Sequence, residues 1–184
     1  KYIVFLDEYL VKHPDFKMLN GYVEKEKIYY EELNKFFHFL ENNFNIKIVI
    51  SSHPRADLNF NKAKFPDFYV SQGNTAQLVR YSEACITHAS TSINFPVIFS
   101  KPIIFITTNR MQKTRYDNEL LASWFNKRPL NISNIYTKNE VLKYLENKNI
   151  YNNQYLKNFI TPSKEIEFGF QALTRFILNK NYYS

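Results

Sequence analysis

The sequence predicts an α/β domain built on a mainly parallel sheet of about six strands flanked by helices. Two observations favour this class. Short apolar runs rich in Ile, Val and Phe alternate with longer segments of helical period, and 45% of the 184 residues are hydrophobic, which is typical of a folded domain. Such runs suit strands that helices cover on both faces. Six runs suffice for one Rossmann-like layer, and they lie at Tyr2–Leu6, 46–51, 68–71, Ala84–Thr87, Ile103–Thr107 and 132–136.

The segments between these runs predict the helices. Residues 29–43 carry apolar side chains at helical spacing, and Thr75–Tyr81 and 118–125 predict shorter helices. Thr137 and Glu140 have the spacing of a capping box, which predicts a helix that continues through Leu145.

The C-terminal part of the chain, residues 151–182, predicts two further helices separated at Thr161-Pro162-Ser163. They share an apolar stripe and are expected to pack back on the sheet, so that residues 1–184 form a single domain. The stripe consists of Ile166, Phe170, Leu173, Phe176 and Ile177.

Composition excludes several classes of protein. Three glycines leave no Gly-rich phosphate loop, which argues against a dinucleotide dehydrogenase or a P-loop kinase. The single cysteine, Cys85, cannot form a disulfide within the chain, which fits a reducing cytoplasm. No apolar run approaches the roughly 20 residues of a membrane helix. A net charge of +7 and a pI near 9.3 favour anionic partners: nucleotides, nucleic acids or acidic lipid surfaces.

The first candidate site follows the second predicted strand. Ligands of parallel α/β sheets bind beyond the carboxyl ends of the strands, and this strand ends in Ser51-Ser52-His53-Pro54-Arg55. His53 and Arg55 can both donate charge-assisted hydrogen bonds to a phosphate, and Pro54 restrains the chain directly after the histidine. A solvated turn with a surface His and Arg explains the same residues about equally well.

The second candidate site follows the fourth predicted strand, where His88-Ala89 precedes Ser90, Thr91 and Ser92. Ser90 or Thr91 can cap a helix here, and the free N–H groups at a helix start attract anions. Capping alone accounts for one hydroxyl more easily than for three, so we expect a phosphate site.

Acidic residues follow the first predicted strand. Asp7 and Glu8 stand at its end, and His13 and Asp15 come a few residues later. A carboxylate at a strand end can act as a general base or orient a histidine, although acids are also common in exposed loops. The four histidines of the chain do not show the paired spacing of metal ligands, so no metal site is predicted.

The order of these pieces resembles the nucleotide-binding C-terminal half of GT-B glycosyltransferases of bacterial surface polysaccharides, especially the sialyltransferase, polysialyltransferase and Kdo-transferase group that uses CMP-sugars. The resemblance rests on an Asp-bearing strand end, strand-SSHPR, strand-HASTS-helix and SKPIIFIT, and it runs from about Tyr2 to Thr108. It implies that His53 with Pro54 contacts the donor phosphate, as do Ser90, Thr91 and Ser92.

The resemblance also implies a mechanism. His53, Arg55 and the hydroxyl cluster would stabilise the departing phosphate, so that no metal and no cofactor besides the CMP-sugar donor is required. Asp7 is the predicted base, with Glu8, His13 and Asp15 behind it. These acids are placed by position and chemistry, because the catalytic acid or base of the family usually lies in the N-terminal half.

Further expectations concern partners and the extent of the chain. The acceptor is expected to be a glycan or a lipid-linked saccharide, and the positive charge fits peripheral contact with the acidic inner face of the bacterial membrane. Because the chain begins at Lys1 directly before a strand, we expect a fragment of a larger two-domain enzyme that transfers little sugar by itself.

Three alternatives remain open. A CDP-glycerol glycerophosphotransferase of the teichoic-acid type has a similar HP and hydroxyl arrangement and would transfer a phosphoryl-alcohol unit. A basic nucleic-acid-binding module would fit the charge and the abundant Tyr and Phe, but most of these aromatics fall in core patterns and no nucleic-acid-binding signature is present, so no specific nucleic-acid partner is expected. A degenerate nucleotide-binding domain that supports a partner subunit is the third.

Overall fold

The computed structural model of the chain describes residues 1–13, 25–111, 115–146 and 150–160. Within them, six strands form one parallel sheet in the order β3-β2-β1-β4-β5-β6, so the predicted α/β Rossmann-like class is confirmed. The strands are β1 Tyr2–Leu6, β2 Lys47–Ser52, β3 Tyr69–Gln72, β4 Ala84–Thr87, β5 Ile103–Thr107 and β6 Leu130–Asn131.

Helices connect the strands. They are α1 Glu26–Phe44, α2 Leu58–Lys64, α3 Thr75–Tyr81, α4 Asn94–Ile98, α5 Arg115–Ser123, α6 Lys138–Glu146 and α7 Ile150–Tyr155; a 3₁₀ turn, Thr91–Ile93, precedes α4, and a π-helical turn, Leu156–Ile160, follows α7. The capping box predicted before α6 is present, because Thr137 and Glu140 bond each other's backbone N–H groups.

Helix α1 supplies the largest part of the core. Its buried side chains recur at a spacing of three or four residues, so one face of the helix packs on the sheet. The Phe37 ring lies 5.1 Å from the ring of Phe5 in β1. These contacts fix the sheet beneath the candidate site; the buried residues of α1 are Tyr29, Tyr30, Leu33, Phe36, Phe37 and Leu40.

The sixth strand differs from its prediction. It is the two-residue edge strand Leu130–Asn131, whereas the sequence predicts a strand over 132–136. Ile132 is buried and still donates its N–H to Thr107, but the Asn131 side chain accepts the N–H of Ser133 and turns the chain away from the sheet. Ile135 is therefore 97% exposed. An apolar run beside the edge of a sheet can lie outside the sheet, and hydrophobic periodicity alone does not distinguish such a run from an edge strand.

Helix α2 has no counterpart among the predicted helices, because its sequence LNFNKAK lacks an apolar stripe. It begins at a polar cap: Asp57 Oδ1 accepts the N–H groups of Asn59 and Phe60, at 2.9 and 3.2 Å. Its buried residue is Asn61, which is fully enclosed beneath the carboxyl edge of the sheet. The cap therefore positions a side chain that matters for the candidate site.

We expect Asp57→Ala to lower the free energy of unfolding by about 1 kcal/mol, because it leaves two N–H groups at the start of α2 without their acceptor. Urea unfolding followed by circular dichroism measures this. Asp57→Asn is the matched control, since an asparagine side chain caps as well as an aspartate and should keep nearly the full stability. Equal losses in the two variants would contradict the capping role.

The described C-terminal residues pack against the second face of the sheet. The Tyr155 ring stacks on Phe125 with centroids 4.9 Å apart, in an apolar cluster that includes Phe105 of β5. This agrees with the prediction that the C-terminal helices pack back on the sheet. The predicted break at 161–163 and the apolar stripe that follows it lie outside the described residues.

Candidate functional site

The candidate site lies at the carboxyl edge of the sheet, where the ends of β2, β1 and β4 are neighbours. The strand order reverses between β1 and β4, and ligands of open parallel sheets bind at such a reversal. Adjacent strands are about 4.8 Å apart, so the ends of β2 and β4 are separated by about 10 Å with β1 between them. The two loops that are predicted to bind a phosphate thus lie at the same edge of the sheet.

The loop after β2 holds His53 in a defined orientation. The His53 ring is half-buried, and its Nδ1 accepts the N–H of Arg55 at 3.1 Å. Because Nδ1 is an acceptor, the proton of the neutral ring resides on Nε2. The Gln72 side chain fixes the loop from β3 by donating to the carbonyl oxygens of His53 and Ala56, at 2.8 and 3.0 Å. The loop is therefore organised by bonds from two directions.

Neighbouring residues of this loop differ in exposure. Pro54 and Arg55 are exposed, and the ring of His13, from the loop after β1, packs edge-on against His53 with centroids 4.9 Å apart. The structure thus brings His13 and His53 together at two adjacent strand ends. Asp15 lies outside the described residues.

The three hydroxyl residues of the loop after β4 differ in their burial. Ser90 is buried, and its Oγ accepts the N–H of Ser92 at 3.1 Å, so Ser90 caps the 3₁₀ turn. Thr91 is exposed and Ser92 is half-buried. The predicted helix start is thus present but opens with a short 3₁₀ turn, and Thr91 and Ser92 are the hydroxyl residues with exposure to solvent.

Asp7 ties the end of β1 to the loop after β2. It is 6% exposed; its Oδ1 accepts the N–H of Tyr9 at 3.0 Å and its Oδ2 accepts the Asn61 amide at 2.7 Å. Burial raises the pKa of Asp7, against the opposing hydrogen bonds from Tyr9, Asn61 and the His53 backbone. The catalytic role of Asp7 stays a prediction.

Glu8 ties the end of β1 to the loop after β4. Its Oε1 accepts the N–H of Ala89 at 2.7 Å, and the side chain is almost fully buried. Burial, together with the nearby charge of Asp7, raises the pKa of Glu8 to about 8. The two consecutive acids therefore reach in opposite directions, Asp7 toward the His53 loop and Glu8 toward the Ser90 loop.

His88 is a structural histidine. It is fully buried; its Nδ1 donates to the carbonyl of Ile106 at 2.8 Å, so its Nε2 accepts the Tyr29 hydroxyl at 3.0 Å. Burial lowers the pKa of His88 to about 4, which keeps the ring neutral. No pattern in the sequence marks this link, because its partners are 59 residues apart.

Metal-binding clusters and membrane-spanning helices are both absent from the described residues. No group of three or more His, Cys, Asp or Glu side chains in residues 1–13, 25–111, 115–146 and 150–160 is arranged to hold a metal ion. Over the same residues, no helix is both long enough and apolar enough to cross a bilayer.

Comparison with known proteins gives structural likenesses only. No family model and no curated protein matches the chain. The fold is similar to that of the glycosyltransferase SnogD from Streptomyces nogalater, with 12% identity, a TM-score of 0.47 and coverage of 82% of this chain and 36% of that chain. It is also similar to a structure described as the glycotransferase of kitacinnamycin, with 12% identity, a TM-score of 0.40 and coverage of 78% and 34%. The chain spans about a third of the length of these proteins, and at TM-scores below 0.5 neither likeness assigns it an activity.

Proposed function

We propose that this chain is the nucleotide-binding half of a GT-B glycosyltransferase that transfers a sugar, such as sialic acid or Kdo, from a CMP-sugar to a bacterial surface glycan. The observation that carries the proposal is the placement of His53 and of the Ser90 loop on one sheet edge, at the reversal of strand order. The order of motifs along the chain, which resembles that of enzymes using CMP-sugars, supports the choice of donor.

His53 is the main phosphate ligand in this proposal. The N–H of Arg55 occupies Nδ1, so the neutral ring carries its proton on Nε2, and this N–H is the group that would donate to a phosphate oxygen. The bonds from Gln72 hold the loop before the donor arrives. A donor group that is already oriented stabilises developing negative charge without further reorganisation.

The loop after β4 supplies the second set of phosphate ligands. The side-chain oxygen of Ser90 accepts the capping hydrogen bond, so the proposed role of Ser90 is to hold the turn in place. Thr91 and Ser92 are more exposed, and their hydroxyl groups are the ones that would face the donor. Since the ends of β2 and β4 lie about 10 Å apart, a phosphate above β1 could be approached from both sides.

Cleavage of the glycosidic bond of a CMP-sugar leaves negative charge on the phosphate of CMP. His53, Arg55 and the hydroxyls would stabilise that charge, so the reaction as proposed needs no metal. An acceptor hydroxyl attacks the anomeric carbon and gives its proton to a carboxylate, for which Asp7 is the proposed base. The proposed acceptor is a glycan or a lipid-linked saccharide, which the positively charged protein would meet at the acidic inner face of the membrane.

A thermal-shift panel of CMP, CDP, UMP, UDP, GDP and ADP tests the proposal. We expect CMP to give the largest rise in melting temperature, because a ligand that binds only the folded state stabilises it. A larger rise with CDP would favour a CDP-glycerol glycerophosphotransferase. Equal responses to all six nucleotides, or none, would contradict the proposal.

A further inference from the structure

A groove of about 660 Å³ lies between helix α5 and the segment that leads into β6. Arg115, Glu119 and Ser123 line it from one face of α5, at successive intervals of four residues. Thr107 and Asn131, the last residues of β5 and β6, line its opposite side. The volume falls in the range of small-molecule sites, and the lining is polar rather than apolar.

The charges along the groove are mostly positive. Among the described residues of the lining, Arg115, Lys127 and Arg128 contribute three cations and Glu119 contributes one acid. Arg115 and Glu119 form an ion pair with a distance of 2.7 Å, which leaves the positive charge concentrated at Lys127 and Arg128. The end of the groove near these two residues is therefore the place where an anion would be most stable.

Lys127 is a half-buried cation that hydrogen-bonds to carbonyl oxygens. Its Nζ donates to the carbonyl oxygens of Ile103 and Tyr144, at 2.7 and 3.1 Å, and no carboxylate of the described residues lies within ion-pair distance. Burial lowers the pKa of Lys127 to about 8. Two carbonyls occupy two of the three N–H groups of the ammonium, so it retains capacity for one more acceptor.

Thr107 adds an unsatisfied polar group on the opposite side of the groove. The residue is 3% exposed, and its Oγ1 is buried with no hydrogen-bond partner among the described residues. A buried hydroxyl without a partner costs free energy unless water or a ligand satisfies it.

We propose that this groove binds an anionic saccharide of hexose size, with its phosphate or carboxylate group at Lys127 and Arg128. The hydroxyl groups of the sugar would then lie along α5, where Glu119 and Ser123 offer oxygen acceptors. Carbohydrate and anionic group together match the mixed lining, whereas an inorganic anion would use only one end of the groove. This site is separate from the proposed donor site, and its occupancy does not depend on the proposed function.

Isothermal titration calorimetry of the 184-residue chain tests the proposal with glucose 6-phosphate, glucuronate, glucose and inorganic phosphate. We expect glucose 6-phosphate or glucuronate to bind at least about tenfold more tightly than glucose and than inorganic phosphate, because each control lacks one half of the recognised chemistry. The stronger of the two anionic sugars identifies the anionic group. Binding of glucose as tight as that of both anionic sugars, or no binding at millimolar concentration, would overturn the proposal.

Three substitutions on exposed side chains localise the site. Arg128→Gln should weaken binding of the preferred anionic sugar about fivefold, whereas Glu119→Gln should strengthen it about threefold by removing the one acid among the described lining residues. Arg80→Gln, which removes an exposed arginine of α3 outside the groove, should change nothing. Unchanged affinity in both groove variants would overturn the proposal.

A final comparison separates this site from the donor site. His53→Ala should retain the binding of the anionic sugar, and Arg128→Gln should retain the thermal shift caused by CMP. Failure of the CMP response alone would contradict the proposed function and leave the groove assignment standing. Loss of anionic-sugar binding in His53→Ala would overturn the assignment of a separate site.

Discussion

His53→Ala should abolish the rise in melting temperature that CMP causes in the unchanged protein. At a CMP concentration of about 100 times Kd, binding adds about 2.7 kcal/mol to the stability of the folded state, and each kcal/mol corresponds to roughly 2 to 4 °C for a chain of this size. The substitution removes the oriented Nε2–H donor at the end of β2. Differential scanning fluorimetry across a CMP titration measures the effect.

Two further variants separate loss of the imidazole from collapse of the loop. His53→Asp keeps an acceptor for the N–H of Arg55, as Asp57 does for Asn59 elsewhere in the chain, but it places a negative charge beside the phosphate. It should fold normally and show no CMP shift. His38→Ala removes an imidazole on α1 that pairs with Asp67, and it should keep the full shift. Equal shifts in His53→Ala and the unchanged protein would exclude His53 from the site.

The buried strands could be predicted from the sequence because burial on both faces makes them continuously apolar. The bounds of the interior strands β1, β4 and β5 agree with the predicted runs residue for residue, and those of β2 and of the edge strand β3 differ by one residue at each end. The edge strand β6 does not match its predicted run, because the hydrogen bond from the Ser133 N–H to the Asn131 side chain ends the strand after two residues. Helix α2 escapes prediction because a cap and a single buried Asn61 define it, with no apolar stripe.

The sequence was enough to predict which strand ends carry the candidate site. A parallel sheet brings the residues after β1, β2 and β4 to one edge, so His53 and Ser90 had to face the same side. The bonds that organise this edge were not predictable, because Asn61 with Asp7 and Glu8 with Ala89 join residues 54 and 81 positions apart. They depend on tertiary packing, which local patterns do not encode.

Glu8→Gln should make the protein more stable than the unchanged chain in mildly alkaline solution, by up to about 5 kcal/mol at about pH 9. The pKa of Glu8 is raised from 4.5 to about 8 by burial, so the folded state binds more protons than the unfolded state between these values. Stability therefore falls as the pH rises from about 4.5 to about 8, and a carboxylate that must be charged in its buried site then destabilises the fold.

Glutamine avoids this cost, because its side chain stays neutral at every pH while its Oε1 can still accept the N–H of Ala89. Urea unfolding at several pH values should show a shallower fall for Glu8→Gln, with a residual slope from Asp7, whose pKa is also raised by burial. Glu83→Gln, at an exposed acid, is the matched control and should keep the slope of the unchanged protein. If Glu8→Gln kept the slope of the unchanged protein as well, the pKa of Glu8 would not be raised by folding. Glu8 would then be a charged carboxylate at neutral pH when it accepts the N–H of Ala89.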